Sequence, residues 1–146
     1  MRALQRYKFL IALCVAVLAA GACSFPNMDD PECAAPRTVV RELYSYHFGS
    51  DMKLSPEAYE QRKKFLTPEF FAAIATTPPD RDPFTQTTAA DVPRAFSIGL
   101  CTVNGDEADI NVRMLWKNDN ASRQQDLDVR AVRRGDEWLV NSISKK

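Results

Sequence analysis

The chain has 146 residues, of which 45% are hydrophobic and 26% charged, with four cysteines, one histidine and a formal net charge of zero. That composition is globular rather than collagenous or disordered, and the length suits one domain with a core of its own. Three of the 19 basic residues, Arg2, Arg6 and Lys8, lie in a leader, so 16 face 19 acids in the remainder and its charge is −3. No basic excess is left for phosphate neutralisation, and the aromatics are not interleaved with Lys or Arg, which excludes a nucleic-acid binder.

Residues 1–8 are basic and free of acids, and Phe9 to Ala22 carry no charge and end in small side chains. This is the three-part layout of a secretory signal, and the run is too short to span a bilayer, which takes about 20 apolar residues. A buried core helix would leave the basic flank and the small-residue exit unexplained. Leu18-Ala19-Ala20-Gly21-Ala22-Cys23 resembles a bacterial lipobox, with Ala20 where a branched residue is commonest. The resemblance implies cleavage after residue 22 and a diacylglycerol on Cys23; ordinary signal peptidase cutting after Ala22 is the alternative. Ser24 stands where lipoproteins retained at the inner membrane usually have Asp, so the resemblance favours the outer membrane, facing the periplasm.

Cys14 leaves with the leader, so Cys23, Cys33 and Cys101 remain. An odd thiol is a liability in an oxidising compartment. If Cys23 carries lipid, Cys33 and Cys101 form an even pair, and a bond between them closes a loop whose entropy corresponds to roughly 4 kcal/mol in the chain-entropy model. Two unpaired buried cysteines are the alternative. Residues 23–36, with Pro26, Pro31 and Pro36, read as a tether, and 37–146 as a single domain.

Thr38 is the expected cap of a helix through Val39, Val40, Leu43, Tyr44 and His47, stopped at Gly49. Ser55-Pro56-Glu57 and Thr67-Pro68-Glu69 repeat one start signal, a hydroxyl cap, a proline at the first helical position and an acid in the first turn. They open helices to about Leu66 and Thr76. Pro78-Pro79 ends the last, and residues 80–93 read as a long loop.

From Arg94 onward the apolar period is two. Phe96, Ile98 and Leu100 alternate; so do Ala108, Ile110, Val112, Met114 and Trp116, then Leu127, Val129 and Ala131, and last Trp138 and Val140. Four strands joined by short turns at Asn104-Gly105, Asn118 to Asn120 and Arg134 to Asp136 make an antiparallel meander. A three-residue loop over Val103 to Gly105 pairs Leu100 with Ala108 and Ile98 with Ile110, leaving Cys101 on the face that carries Glu107 and Asp109. Asn111, Arg113, Asp126, Asp128 and Arg130 on that face read as solvated cross-strand pairs.

Helices followed by such a meander resemble the cystatin-like or nuclear-transport-factor-like α+β cone. Val39-Val40-Arg41-Glu42-Leu43-Tyr44-Ser45-Tyr46-His47, the Asp82-Pro83-Phe84 loop and the strand Asp136 to Val140 further resemble a domain-of-unknown-function family of bacterial envelope proteins that includes YbjP-type lipoproteins. The resemblance implies a fold and a location and no catalytic residue.

No metal set, nucleophile motif or phosphate-cradling glycine loop occurs, so no cofactor and no metal are expected. His47 with Asp51 four residues on is one candidate acid–base pair, for a small hydrolase or isomerase; a packed His47 beside Tyr44 is the other reading. Tyr44, His47, Phe71 and Trp116 could line a pocket in the cone for a small apolar ligand, or be core. The expectation is a non-enzymatic binding module on a lipid anchor, with the membrane and a protein or small-molecule ligand as partners. An immunity lipoprotein against a toxin is a subclass that a neighbouring toxin gene would favour.

Overall fold

A computed structural model describes residues 30–118 and 121–146. The leader, Cys23 and the tip of the turn after Asn118 lie outside the described residues. Asp30 opens the fold: its carboxylate accepts from the Glu32 amide at 3.0 Å, and Pro31 begins a 3-10 turn, Pro31–Cys33. The turn runs directly into helix α1, Ala34–Gly49. Residues 31–36, expected to be tether, are therefore helical. Thr38 does not cap α1; it lies inside the helix, where its hydroxyl donates to the Ala34 carbonyl at 2.8 Å. Pro36 is tolerated because first-turn amides have no intrahelical acceptor.

Pro36, Val39, Val40, Leu43, Tyr44 and His47 form the buried stripe of α1, spaced as a helical face requires. Gly49 still belongs to the helix, and the left-handed conformations of the reversal fall on Asp51 (φ 54°) and Met52 (φ 49°). No atom outside the neighbouring backbone lies within 4 Å of where a Gly49 Cβ would be. Gly49→Ala should therefore raise stability by about 0.5–1 kcal/mol through lower unfolded-state entropy, read as a higher urea midpoint.

Helices α2, Pro56–Arg62, and α3, Pro68–Ile74, start where expected. Ser55 Oγ accepts from the Ala58 amide at 3.3 Å and Thr67 Oγ1 from the Phe70 amide at 3.1 Å. A 3-10 turn, Lys63–Phe65, extends α2. The segment expected to be a long loop contains a two-stranded hairpin, β1, Arg81–Asp82, with β2, Thr87–Thr88.

The main sheet is a four-stranded antiparallel meander in the order β3-β4-β5-β6: Ala95–Asn104, Glu107–Asn118, Ala121–Arg134 and Glu137–Lys145. Helices cover one face. Val40, Leu43 and Tyr44 of α1 belong to one buried cluster with Ile110, Val112 and Met114 of β4, Leu127 and Val129 of β5, and Val140 of β6. Burying each large aliphatic side chain contributes about 1.5–3 kcal/mol, so this seam holds the helices to the sheet. The opposite face is solvated, and Arg113–Asp126 and Arg130–Asp109 pair directly across strands at 2.8 and 2.9 Å.

The first hairpin differs from the expected register. Asn104 pairs with Glu107, so the turn is Gly105-Asp106, with Gly105 at φ 63°. Cys101 pairs with Ile110 and Ile98 with Val112, and the extra residue between them is a bulge at Gly99-Leu100. A Cβ on Gly99 would lie 2.9 Å from Asn111 Oδ1, which is why glycine suits the site. The bulge restores phase one residue late. Leu100 is thrown outward to 72% exposure, and Cys101 turns to the helix-covered side, opposite the face expected for it. There it is joined to Cys33 in a disulfide with Cα atoms 6.1 Å apart.

Candidate functional site

The structure gathers polar side chains under the end of α1. His47, on the buried stripe, is fully enclosed, and its Nε2 lies 2.8 Å from Asp82 Oδ2. Asp82 Oδ1 accepts from the Phe84 amide at 2.8 Å and the Thr85 amide at 3.3 Å, so the Asp82-Pro83-Phe84 turn organises itself around that carboxylate. The Phe84 carbonyl accepts from the Tyr44 hydroxyl at 2.9 Å. Arg62, with no exposed surface, donates to the Ala58 carbonyl at 2.7 Å and to Ser50 Oγ at 3.0 Å, and its guanidinium lies 5.3 Å from the Phe84 ring centre. One cluster thus ties α1, α2 and the β1–β2 hairpin together.

Its electrostatics follow from enclosure. Burial, with the Asp82 charge, holds the Tyr44 hydroxyl well above its usual pKa. Burial lowers the Arg62 value, and Asp82 opposes that. Burial pushes the Asp82 carboxyl up, but hydrogen bonding and charge from His47, with Phe84 and Thr85, outweigh it and leave the value below the ordinary 3.8. Asp82 is therefore ionised at neutral pH and held by donors on two sides.

His47 is not partnered by Asp51. The helix ends at Gly49, and the left-handed reversal carries Asp51 to the exposed surface while the imidazole points inward to Asp82, 35 residues away. His47 Nδ1 has no hydrogen-bond partner and is buried. Both ring nitrogens therefore lie in the buried core, with the imidazole turned to Asp82. A cavity of about 60 Å³ touches Asp82, Thr87, Asp51 and Met52, room for a few waters at most. The cluster as it stands is a structural tie. Among the described residues no group of three or more His, Cys, Asp or Glu is placed to hold a metal ion.

The cavities of about 530, 650 and 60 Å³ are bordered by only one of the four expected pocket residues, Trp116. Tyr44 and His47 are core. Phe71 is half-buried on α3, with Lys63 Nζ 5.0 Å from its ring centre. Trp116, 7% exposed, does border a cavity of about 650 Å³, but one formed with Asp91, Arg94 and Arg123; its indole donates to the Asp91 carbonyl at 3.3 Å. Phe84 and Tyr44 are themselves fully buried members of the core. Sequence reasoning marked Asp82 only as part of the Asp82-Pro83-Phe84 motif and not as the partner of His47, and it missed the burial of Arg62 and a groove of about 530 Å³ between the start of α1 and the β5–β6 turn. Asp before Pro marks a turn at Asp82 without naming its partner; Arg62 carries no such mark beside Lys63 and Lys64.

Helices packed on one face of a four-stranded antiparallel meander make this an α+β fold, as the sequence led us to expect. A solved Bacteroides thetaiotaomicron protein of unknown function aligns over 81% of this chain and 96% of its own, at 21% identity and a TM-score of 0.53, and shares the fold. A Campylobacter jejuni protein provisionally described as an NTF2-like transpeptidase aligns over 77% of this chain and 97% of its own at 22% identity, with a TM-score of 0.33. No protein-family model matches the chain, and no curated protein matches it in sequence.

Proposed function

We propose that this is an exported bacterial envelope protein, held to the membrane by lipid on Cys23 and acting there as a binding module without chemistry of its own. The Cys33–Cys101 disulfide is the observation that carries the reading. Such bonds persist in oxidising compartments, and with Cys14 in the leader Cys23 is the cysteine outside this pair that lipid would take. Two or three acyl chains, each methylene contributing about 0.8 kcal/mol, hold a domain durably where one chain holds it marginally. Ser24 directs the anchored form to the outer membrane, and the likeness of residues 39–47 and of the terminal Trp strand to YbjP-type lipoproteins points the same way. The enclosure of His47 and Asp82 supports binding over catalysis.

Cys23→Ala expressed in a Gram-negative host should move the protein from the membrane to the soluble periplasmic fraction and abolish incorporation of labelled palmitate. Retention in the membrane with unchanged labelling would refute the anchor.

A further inference from the structure

The groove beside the start of α1 has a floor of Ala34, Ala35, Val39, Phe65 and Trp138. Two alanines in the first turn of the helix leave the space that larger side chains would fill, and Trp138 is only partly buried there. The rim is acidic: Glu42 projects from α1, and Asp136 and Glu137 from the β5–β6 turn, all three exposed. Acids on the sheet and in its flanking loops are matched elsewhere, Asp126 by Arg113, Asp109 by Arg130, Asp106 by Arg133 and Asp91 by Arg123. Glu42, Asp136 and Glu137 form no ion pair among the described residues. The one cation lining the groove, Lys64, has its ammonium 4.8 Å from the Phe65 ring centre and 5.8 Å from that of Tyr46, so it already has an aromatic partner.

We propose that this groove binds a short extended peptide segment in which lysine or arginine alternates with apolar residues. The apolar side chains take the floor, and the cations take the three carboxylates, with a stem or guanidinium lying against Trp138. The chain's own segment before Asp30 is a poor occupant, because Asp29 brings like charge to an acidic rim and no Lys or Arg lies between Cys23 and Asp29. This inference rests on the binding-module reading and names its ligand class; it is independent of where the protein is anchored, which Cys23→Ala tests separately.

The probe is a fluorescein-labelled hexapeptide of alternating lysine and leucine, titrated with the full chain and read by anisotropy. Its lysine–serine and glutamate–leucine counterparts test the floor and the rim. The lysine–leucine peptide should bind about tenfold or more tightly than either counterpart, a difference of about 1.4 kcal/mol, and salt should weaken it. E42K/E137K, both at exposed positions, should weaken it by about tenfold or more with an unchanged melting temperature, while the distant Asp80→Lys changes it less than about twofold. Absence of binding to the parent, equal binding of the lysine–serine peptide, or indifference to E42K/E137K overturns the proposal. So does sedimentation showing a dimer that E42K/E137K dissolves, which would assign the groove to a second copy.

Discussion

Asp82→Ala should unfold with about 3 kcal/mol less free energy than the parent protein, seen as a lower urea midpoint at an unchanged slope. The loss comes from what the carboxylate leaves behind. His47 Nε2, the Phe84 amide and the Thr85 amide all lose an acceptor in a buried region, and Arg62 loses the nearby negative charge that offsets its burial. The β1–β2 hairpin also loses its tie to α1. His47→Ala should cost less, because Asp82 keeps both amide donors. The two changes together should cost less than their sum, since they share one contact. The same site carries a pH signature. A folded carboxyl held below 3.8 contributes stability that is complete above that value and is lost as the pH falls through the lower folded value. Asp82→Asn should therefore flatten the fall in stability below pH 3.8, and an unaltered acid limb would contradict the pairing.

Removing the disulfide should cost about as much by a different route. Its cysteines are 68 residues apart, and releasing that loop in the unfolded chain corresponds to about 4 kcal/mol in the chain-entropy model. The bond fastens the 3-10 turn before α1 to strand β3, while Arg37 Nη2 donates to the Gly99 carbonyl at 3.3 Å beside it. Cys33→Ala/Cys101→Ala should thus lower the melting temperature strongly and loosen the N-terminal turn first, read as faster amide exchange over residues 31–37. Because Cys33 is fully buried, native protein should resist mild reductant that acts quickly once urea has opened it. Equal stability of the parent and the double variant would show that the loop is closed by other contacts.

What could be foreseen from the chain is what local chemistry dictates. Ser55-Pro56 and Thr67-Pro68 start helices because cap, proline and acid act within one turn of each other. The strands of the meander are legible because one solvated face enforces a period of two. Thr38 misled because a hydroxyl ahead of an apolar stripe looks like a cap, whereas Asp30-Pro31 begins the helical run earlier. The register of the first hairpin failed because a single extra residue decides it, and none could be assigned to the last hairpin for the same reason. The bulge at Gly99-Leu100 and a second between Val140 and Ser142 depend on neighbours across the sheet, not on alternation along it. The second is fixed in part by the Thr67 amide donating to the Val140 carbonyl at 2.9 Å and the Thr67 hydroxyl donating to Asn141 Oδ1 at 3.0 Å.

The histidine shows the same division. Its burial follows from its place on the stripe of Val40, Leu43 and Tyr44, but its partner does not follow from spacing. A four-residue offset pairs side chains only while the helix continues, and this helix stops two residues before Asp51. The carboxylate that reaches His47 comes from a turn built by its own Asp-Pro signal. Distance in sequence hid it.

The most direct test is mass spectrometry of the protein isolated from bacterial membranes without reductant. The account predicts a first residue Cys23 bearing acyl chains and a linked peptide pair joining Cys33 to Cys101. An intact Met1 leader on a soluble product with free thiols at both positions would contradict it.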